Sequence, residues 1–189
     1  ASIKKYTYQV AGLTAEENYS TSQIVKNMGS PEVAQTELPS GTRDLVVTAV
    51  DSRGYSTAVT KRVTIVPYKA PIISASASRL NGFEAETTIK IAGTFSRIEV
   101  GGTAKNTVDA NSGVQYRYKA QNTTTWGSWT NKTATIDVAN GKVTVADFKL
   151  NLDNQNAYDF EVKITDRLQT TIGAFTVAVG QPAFYIGAD

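Results

Sequence analysis

Apolar and polar residues alternate at a period of two in short segments along most of the chain. Leu45, Val47 and Ala49 share one parity within the segment DLVVTAVD. Successive side chains of a strand point to opposite faces of a sheet, so such segments are typical of half-buried β-strands bounded by turns. The same alternation occurs at Tyr6, Tyr8 and Val10, at Val63 and Ile65, at Ile89 and Ile91, at Val114, Tyr116 and Tyr118, and at Phe175, Val177 and Val179.

The dipeptide Asn140-Gly141 predicts a β-hairpin, because Asn and Gly tolerate positive φ at both central positions of a type I′ turn. Pairing outward from a two-residue turn gives a register with four apolar side chains on one face. In that register Val138 lies opposite Val143, and Ile136 lies opposite Val145.

An internal repeat indicates two modules. DLVVTAVDSRG, which starts at Asp44, matches DFEVKITDRLQ, which starts at Asp159, so that Asp51 corresponds to Asp166. In each copy an alternating strand ends at an Asp, a polar turn follows and a last strand returns, as in the final hairpin of a β-sandwich. The predicted fold is all-β, with two tandem antiparallel sandwiches of the immunoglobulin or fibronectin type III kind.

The predicted boundary between the modules is the segment VPYKAP, where Pro67 and Pro71 each remove a donor from a strand ladder. We assign residues 1–68 to the first module, 69–71 to a linker, 72–180 to the second module and 181–189 to the start of a following segment. The first module has one strand, near residues 4–10, where the second has two. We therefore expect the first module to lack its opening strands and the natural chain to extend upstream.

One segment has a sequence feature that is typical of a helix N-terminus. Thr14 and Glu17 have the spacing of a helix-capping box in TAEENYSTSQIVKN. The Ser and Thr content of the segment favours a connecting loop with a short turn.

The composition excludes most familiar catalytic chemistry. The chain has no His and no Cys, which removes the usual general base, the thiolate nucleophile and the commonest zinc ligands. The net charge is +2 without a run of Lys or Arg, and no segment approaches the roughly 20 apolar residues of a membrane span. We predict a protein without enzymatic activity, cofactor, nucleic-acid partner or membrane insertion.

Tyr116, Tyr118, Trp126 and Trp129 form the candidate ligand site, because exposed aromatic faces stack on sugar rings. The structural alternative is packing in the core or at an edge, since a Trp near the third strand commonly fills the core of a sandwich. A spacing of three in TWGSWTN places the two Trp side chains on opposite faces of a strand unless a bulge or turn intervenes. We favour the structural interpretation.

Other polar groups are interpreted as turn residues. Asp51, Arg53 and Gly54 form a turn in which Asp51 binds amides and Gly54 supplies positive φ. Glu84 and Glu86 would share a strand face, but they lack an acid or base partner at a set distance. The remaining oxygen-bearing cluster lacks the spacing of a calcium loop and consists of Asp153, Asn154 and Asn156.

Two segments carry a resemblance to a known family. VVTAVDSRGYST at residues 46–57, followed by VPYKAPIISASASR at residues 66–79, resembles minor structural and tail proteins of siphophages that infect Gram-positive bacteria. The terminal GQPAFYIGAD is similar to the entry to a later segment of such proteins. The second module departs from the pattern, because TDRLQTT does not retain the Gly of VDSRGYS.

The resemblance implies a virion component on a tail tip, fibre or receptor-binding protein, with modules that act as spacers or contact the host. It implies other tail proteins and host cell-wall polysaccharide as partners, and it allows a homotrimeric parent protein. Two alternatives remain open: a repeat module of a Gram-positive surface adhesin, located on the bacterial surface, and a carbohydrate-binding module of a secreted hydrolase.

Overall fold

A computed structural model describes residues 1–19 and 40–181. Its regular elements are strands and one short 3-10 turn, and the chain divides into two compact units, Ala1–Lys69 and Ala70–Asp189. The all-β prediction is confirmed. The strands are β1 (Ile3–Val10), β2 (Leu13–Asn18), β3 (Gly41–Asp51), β4 (Ser56–Ile65), β5 (Ile72–Arg79), β6 (Glu86–Thr94), β7 (Glu99–Val100), β8 (Thr103–Ala104), β9 (Val114–Ala120), β10 (Thr130–Asn131), β11 (Ala134–Asp137), β12 (Lys142–Val145), β13 (Phe148–Asn151), β14 (Tyr158–Thr165) and β15 (Thr170–Val177).

The described residues of the first unit form one antiparallel sheet in the order β2-β1-β3-β4. Its register places Tyr8 between Ala15 and Val47, and Val59 lies beyond Val47 in the same row. This face of the sheet is therefore largely apolar, although Glu17 and Lys61 also lie on it, and the other face is mainly polar. Val59 is 66% exposed, so this face is open to solvent at β4. The sandwich and the missing opening strands of this module stay predictions.

A two-residue turn joins β1 to β2 and does not carry the usual sequence signature. Val10 pairs with Leu13, and the turn residues Ala11 and Gly12 have φ of 51° and 87°. Both central residues of a type I′ turn need positive φ, which Gly and Asn adopt more easily than Ala. Ala11 therefore holds a strained conformation.

We expect Ala11→Asn to stabilise the first unit by about 0.5–1 kcal/mol, because Asn relieves the strain at positive φ. Hydrogen exchange of the β1 and β2 amides measures the effect. Ala58→Asn, at an exposed position inside β4, is the matched control and should bring no gain, because Asn is disfavoured in strands. Equal protection in the two variants would contradict the turn explanation.

The second unit contains two larger antiparallel sheets. One has the order β10-β9-β14-β15. In the other, β6 pairs with β5 along one edge and with β12 and β13 along the opposite edge, and β11 lies outside β12. The facing sides of these sheets supply one hydrophobic core, in an arrangement like a β-sandwich. The small β7–β8 hairpin lies between β6 and β9 in the chain.

The alternation read from the sequence explains this core. Phe160, Val162 and Ile164 of β14 are at most 1% exposed, and side chains of β6, β9 and β12 pack against them. Phe160 stacks between Tyr118 and Phe175, with ring centroids 5.0 Å from each. Burial of such side chains provides most of the driving force for folding.

The predicted Asn140-Gly141 hairpin exists, but its predicted turn and register are wrong. Ile136 pairs with Val143, so the register is displaced by two residues and the loop spans residues 138–141. Gly141 has φ of 61°, whereas Asn140 does not have positive φ. The Asp137 carboxylate accepts hydrogen bonds from the side chain of Asn140 at 2.7 Å and from its backbone N–H at 3.1 Å. These bonds favour the longer loop.

The internal repeat corresponds to two similar hairpins, β3–β4 and β14–β15. Asp51 ends β3 and Asp166 directly follows β14, and each carboxylate accepts a 2.8 Å hydrogen bond from the backbone N–H two residues later. The hint of a helix at Thr14 and Glu17 is wrong, because both residues lie in β2. The remainder of that segment, and residues 182–189, lie outside the described residues.

Candidate functional site

The predicted aromatic group is divided between the two faces of β9. Tyr116 and Tyr118 point into the core, where Tyr116 is 6% exposed. Arg117 and Lys119 alternate with them and point outward. The tyrosines therefore do not share a surface with the two tryptophans.

Trp126 and Trp129 both lie against the outward-facing Arg117. The guanidinium carbon is 4.8 Å from the ring centroid of Trp126 and 4.5 Å from that of Trp129. The strand rule of opposite faces does not apply, because residues 122–129 form a loop, in which the Gly127 N–H donates to the Tyr118 carbonyl at 3.1 Å. Both indoles are half-buried and pack outside the core, whereas Tyr116 and Tyr118 pack in it, so the core part of the structural interpretation holds for the tyrosines and not for the tryptophans.

Each indole also lies close to a Lys side chain of this outer face. The Lys163 ammonium lies 4.4 Å from the ring centroid of Trp129, and the Lys119 ammonium lies 5.4 Å from that of Trp126. Cation–π contacts of this kind contribute about 0.5–1 kcal/mol each at exposed sites. We call Arg117, Lys119, Trp126, Trp129 and Lys163 the Trp–Arg face.

Carboxylates of β14 fix the cations of β9. Arg117 and Glu161 are directly paired across the two strands, and Arg117 Nε donates to Glu161 Oε2 at 2.6 Å. Lys119 and Asp159 are the next outward pair, with Nζ and Oδ2 3.4 Å apart. Because these cations of β9 are paired with carboxylates of the adjacent strand β14, they form a rigid support for the indoles.

Asp159 is held in its charged form. The side-chain hydrogen bond from Gln121 is the main cause of a pKa below the ordinary value of this carboxyl, with a further contribution from Lys119 and an opposing effect of burial. Gln121 Nε2 donates to Asp159 Oδ1 at 2.8 Å.

We expect the second unit to lose stability in acid partly through Asp159. A carboxyl with a lowered folded pKa stabilises the fold above its unfolded pKa of about 3.9, and that stability is lost as the pH falls through the folded value. Thermal unfolding between about pH 6 and pH 2.5 should therefore show a smaller acid-induced fall in Tm for Asp159→Asn than for the wild type. Identical pH profiles would contradict the assignment.

The geometry of Arg117 can be tested by fluorescence, because Trp126 and Trp129 are the only two tryptophans of the chain. Lys lacks the planar fork that packs between two rings and binds a carboxylate at two points. Arg117→Lys should shift the emission to longer wavelength and cost about 1 kcal/mol or less. Arg97→Lys is the control, since Arg97 pairs with Glu99 away from the indoles, and it should leave the spectrum unchanged.

A shallow depression of about 250 Å³ lies beside Trp126 on the same outer face. Asp159, Glu161 and Thr176 form its polar lining, which we call the rim, and Ala174 also lines it. The depression combines an indole wall with several hydrogen-bonding groups. Such a combination is typical of small-molecule sites.

The predicted turn residues make the contacts of a structural turn. Asp51 Oδ1 accepts hydrogen bonds from the backbone N–H groups of Arg53 at 2.8 Å and Tyr55 at 3.0 Å. Gly54 has φ of 90°. The guanidinium of Arg53 lies over the Tyr55 ring, 5.3 Å from its centroid, and binds Asp51 Oδ2 at 3.3 Å.

The other carboxylates also have structural partners. Glu84 precedes β6 and accepts from Asn81 at 2.6 Å, while Glu86 lies in β6 and pairs with Lys149, so the predicted shared strand face is wrong. Asp153 caps its own turn through the backbone N–H of Gln155 at 2.9 Å. Within residues 1–19 and 40–181, no group of three or more acidic side chains could hold a metal ion.

Comparison with known proteins gives no assignment: no protein-family model and no curated protein sequence matches the chain. In the part of the chain that the structure describes, no helix has the length and apolarity needed to cross a membrane.

Proposed function

We propose that this chain is a non-enzymatic structural component of a bacteriophage tail, in which immunoglobulin-like or fibronectin-like modules act as spacers and adhere to host cell-wall polysaccharide. The strand order of the second unit supports the module type. In an immunoglobulin-like module, β5, β6, β12 with β13, and β11 would correspond to strands A, B, E and D of one sheet. The other sheet, in the order β10-β9-β14-β15, would correspond to strands C′, C, F and G.

The Trp–Arg face is the observation that carries the adhesive part of the proposal. Two half-buried indoles lie together on the outer side of a sheet, next to a depression with carboxylate and hydroxyl groups. Aromatic side chains with a rigid support bind ligands at a small cost in conformational entropy. The resemblance of residues 46–57 and 66–79 to tail proteins supports the virion as the location and other tail proteins as partners.

A carbohydrate-binding module of a secreted hydrolase is the second candidate. The observation that favours it is that Trp126 and Trp129 share one outer face. An attached catalytic domain in the full-length protein would distinguish this candidate from a tail component.

Binding of the fluorescently labelled fragment to intact Gram-positive cells and to purified wall polysaccharide tests the adhesive role. We expect saturable binding that is lost in folded Trp126→Ala and Trp129→Ala variants. Tyr55→Ala removes an aromatic side chain that is 71% exposed in the other unit, and this control should bind like the wild type. Absence of binding by the folded wild type would overturn the adhesive role and leave the spacer role.

A further inference from the structure

The lining of the depression beside Trp126 includes one small side chain, that of Ala174. Ala174 lies directly opposite Glu161 in the β14–β15 register, and Thr176 lies opposite Asp159. The preceding outward residue of β15 is Ile172, which is 53% exposed. A larger side chain at position 174 would fill the space between Trp126 and the rim. The strand itself would accept such a side chain, because β-branched residues favour strands.

The rim is rich in acceptors. Glu161 Oε2 binds Arg117 at 2.6 Å, and Asp159 accepts from Gln121 at 2.8 Å and from the Thr176 hydroxyl at 3.4 Å. A carboxylate has about four lone-pair sites, so both groups retain capacity for further donors. Hydroxyl groups of a ligand supply such donors, whereas the described residues of the lining include no cation that would pair with an anionic group.

The rest of the lining is apolar. It consists of Trp126, Ala174, Phe160 and Phe175. A pyranose ring has the matching chemistry, with C–H bonds on one face and hydroxyl groups at its edge. The volume of about 250 Å³ lies below the range of about 300–1,000 Å³ that holds a drug-sized ligand, so one ring fits.

We propose that this depression is a subsite for one neutral pyranose ring of a polysaccharide, with the ring's C–H face against Trp126 and Ala174 and its hydroxyl edge toward Asp159 and Glu161. The proposal rests on the adhesive role proposed above. It adds the position of the ligand and the class of sugar, since the described residues that line the depression offer acceptors for hydroxyl groups and include no cation for a uronic acid or a phosphate group.

Filling the depression tests the position. Ala174→Ile should weaken binding to neutral wall polysaccharide by roughly tenfold or more, and Ala174→Thr should weaken it less. Ala58→Ile makes the same change at an exposed strand position in the other unit and should bind like the wild type. Circular dichroism and Tm confirm that each variant is folded, and quenching of Trp126 and Trp129 fluorescence measures binding.

Fractionated wall polymers test the sugar class. The neutral polysaccharide and the anionic teichoic acid fraction are prepared from the same cells, and the wild type should bind the neutral fraction more tightly. Unchanged binding by Ala174→Ile would overturn the position while leaving the adhesive role intact. Preference for the anionic fraction would overturn the sugar class. If the folded wild type binds neither cells nor either fraction, the adhesive role itself would be overturned.

Discussion

Arg79→Met is expected to destabilise the second unit by about 3–5 kcal/mol, which is a large part of the 5–15 kcal/mol that stabilises a typical domain. Arg79 ends β5, and the residue is only 9% exposed. Its guanidinium donates to five main-chain carbonyls at 2.9–3.3 Å, those of Ala178, Glu84, Leu152, Asp153 and Asn156.

The size of the effect follows from the positions of these five carbonyls in the fold. They lie at the end of β15, in the loop before β6 and in the loop between β13 and β14, so that one side chain ties together segments far apart in sequence. A hydrogen bond from a charged donor contributes about 1.5–3 kcal/mol, and the five are not additive. Methionine fills a similar volume but leaves all five carbonyls without this donor.

Urea denaturation followed by tryptophan fluorescence measures the loss, because both tryptophans lie in the second unit. The transition midpoint should fall while the m-value stays the same. Arg79→Lys keeps the charge but not the planar fork, so it should fall between the wild type and Arg79→Met. Arg97→Met is the control, since the Arg97 side chain is 51% exposed and its loss should cost about 1 kcal/mol or less. A loss of stability below about 1 kcal/mol in Arg79→Met would contradict the role of Arg79 in holding these segments together.

The sequence pattern predicted the strands better than their connections. Strands with several alternating apolar residues, such as β9 and β14, follow directly from the period of two. The predicted register of the hairpin at Asn140-Gly141 is wrong because the loop length depends on hydrogen bonds from Asn140 to Asp137. An Ala-Gly turn at Ala11 adopts the positive φ expected of Asn-Gly, and nothing local in the sequence indicates it.

The candidate site could be predicted in part. The same alternation that buries Tyr116 and Tyr118 places Arg117 and Lys119 on the outer face, and the DFEVKIT segment places its charged residues there too. That signal was present in the sequence. The approach of both indoles to Arg117 was not predictable, because it depends on an irregular loop. The partners of Arg79 are main-chain carbonyls, which carry no sequence signature.

Asp166→Ala is expected to destabilise the second unit by about 3 kcal/mol, and the aligned Asp51→Ala should have a clearly smaller effect on the first unit. Both carboxylates accept hydrogen bonds from the amides of their own turns. Asp166 has an additional buried partner, because its Oδ2 accepts from Asn106 Nδ2 at 2.9 Å. Asn106 is 1% exposed and Asp166 is 6% exposed.

Burial is the physical reason for the difference. Removing the Asp166 carboxylate leaves a donor of Asn106 and two turn amides without this acceptor in a site where water has little access, and an unsatisfied buried polar group costs about 1–3 kcal/mol. The turn of Asp51 is more exposed, so water replaces the lost hydrogen bonds. Hydrogen exchange of the β3–β4 and β14–β15 amides compares the two turns in one protein, and equal losses of protection would contradict the role of burial.

A double variant separates the contribution of the Asn106–Asp166 hydrogen bond from that of the turn amides that bind Asp166. Asn106→Leu alone removes the donor but leaves the Asp166 carboxylate buried with one partner fewer, so it should also be strongly destabilising. Asp166→Ala combined with Asn106→Leu removes both polar groups, and the double variant should lose less stability than the two single losses together. Full additivity would mean that Asp166 acts on its turn alone. A coupling between the two losses would instead show that the buried pair holds the loop before β9 against the end of β14.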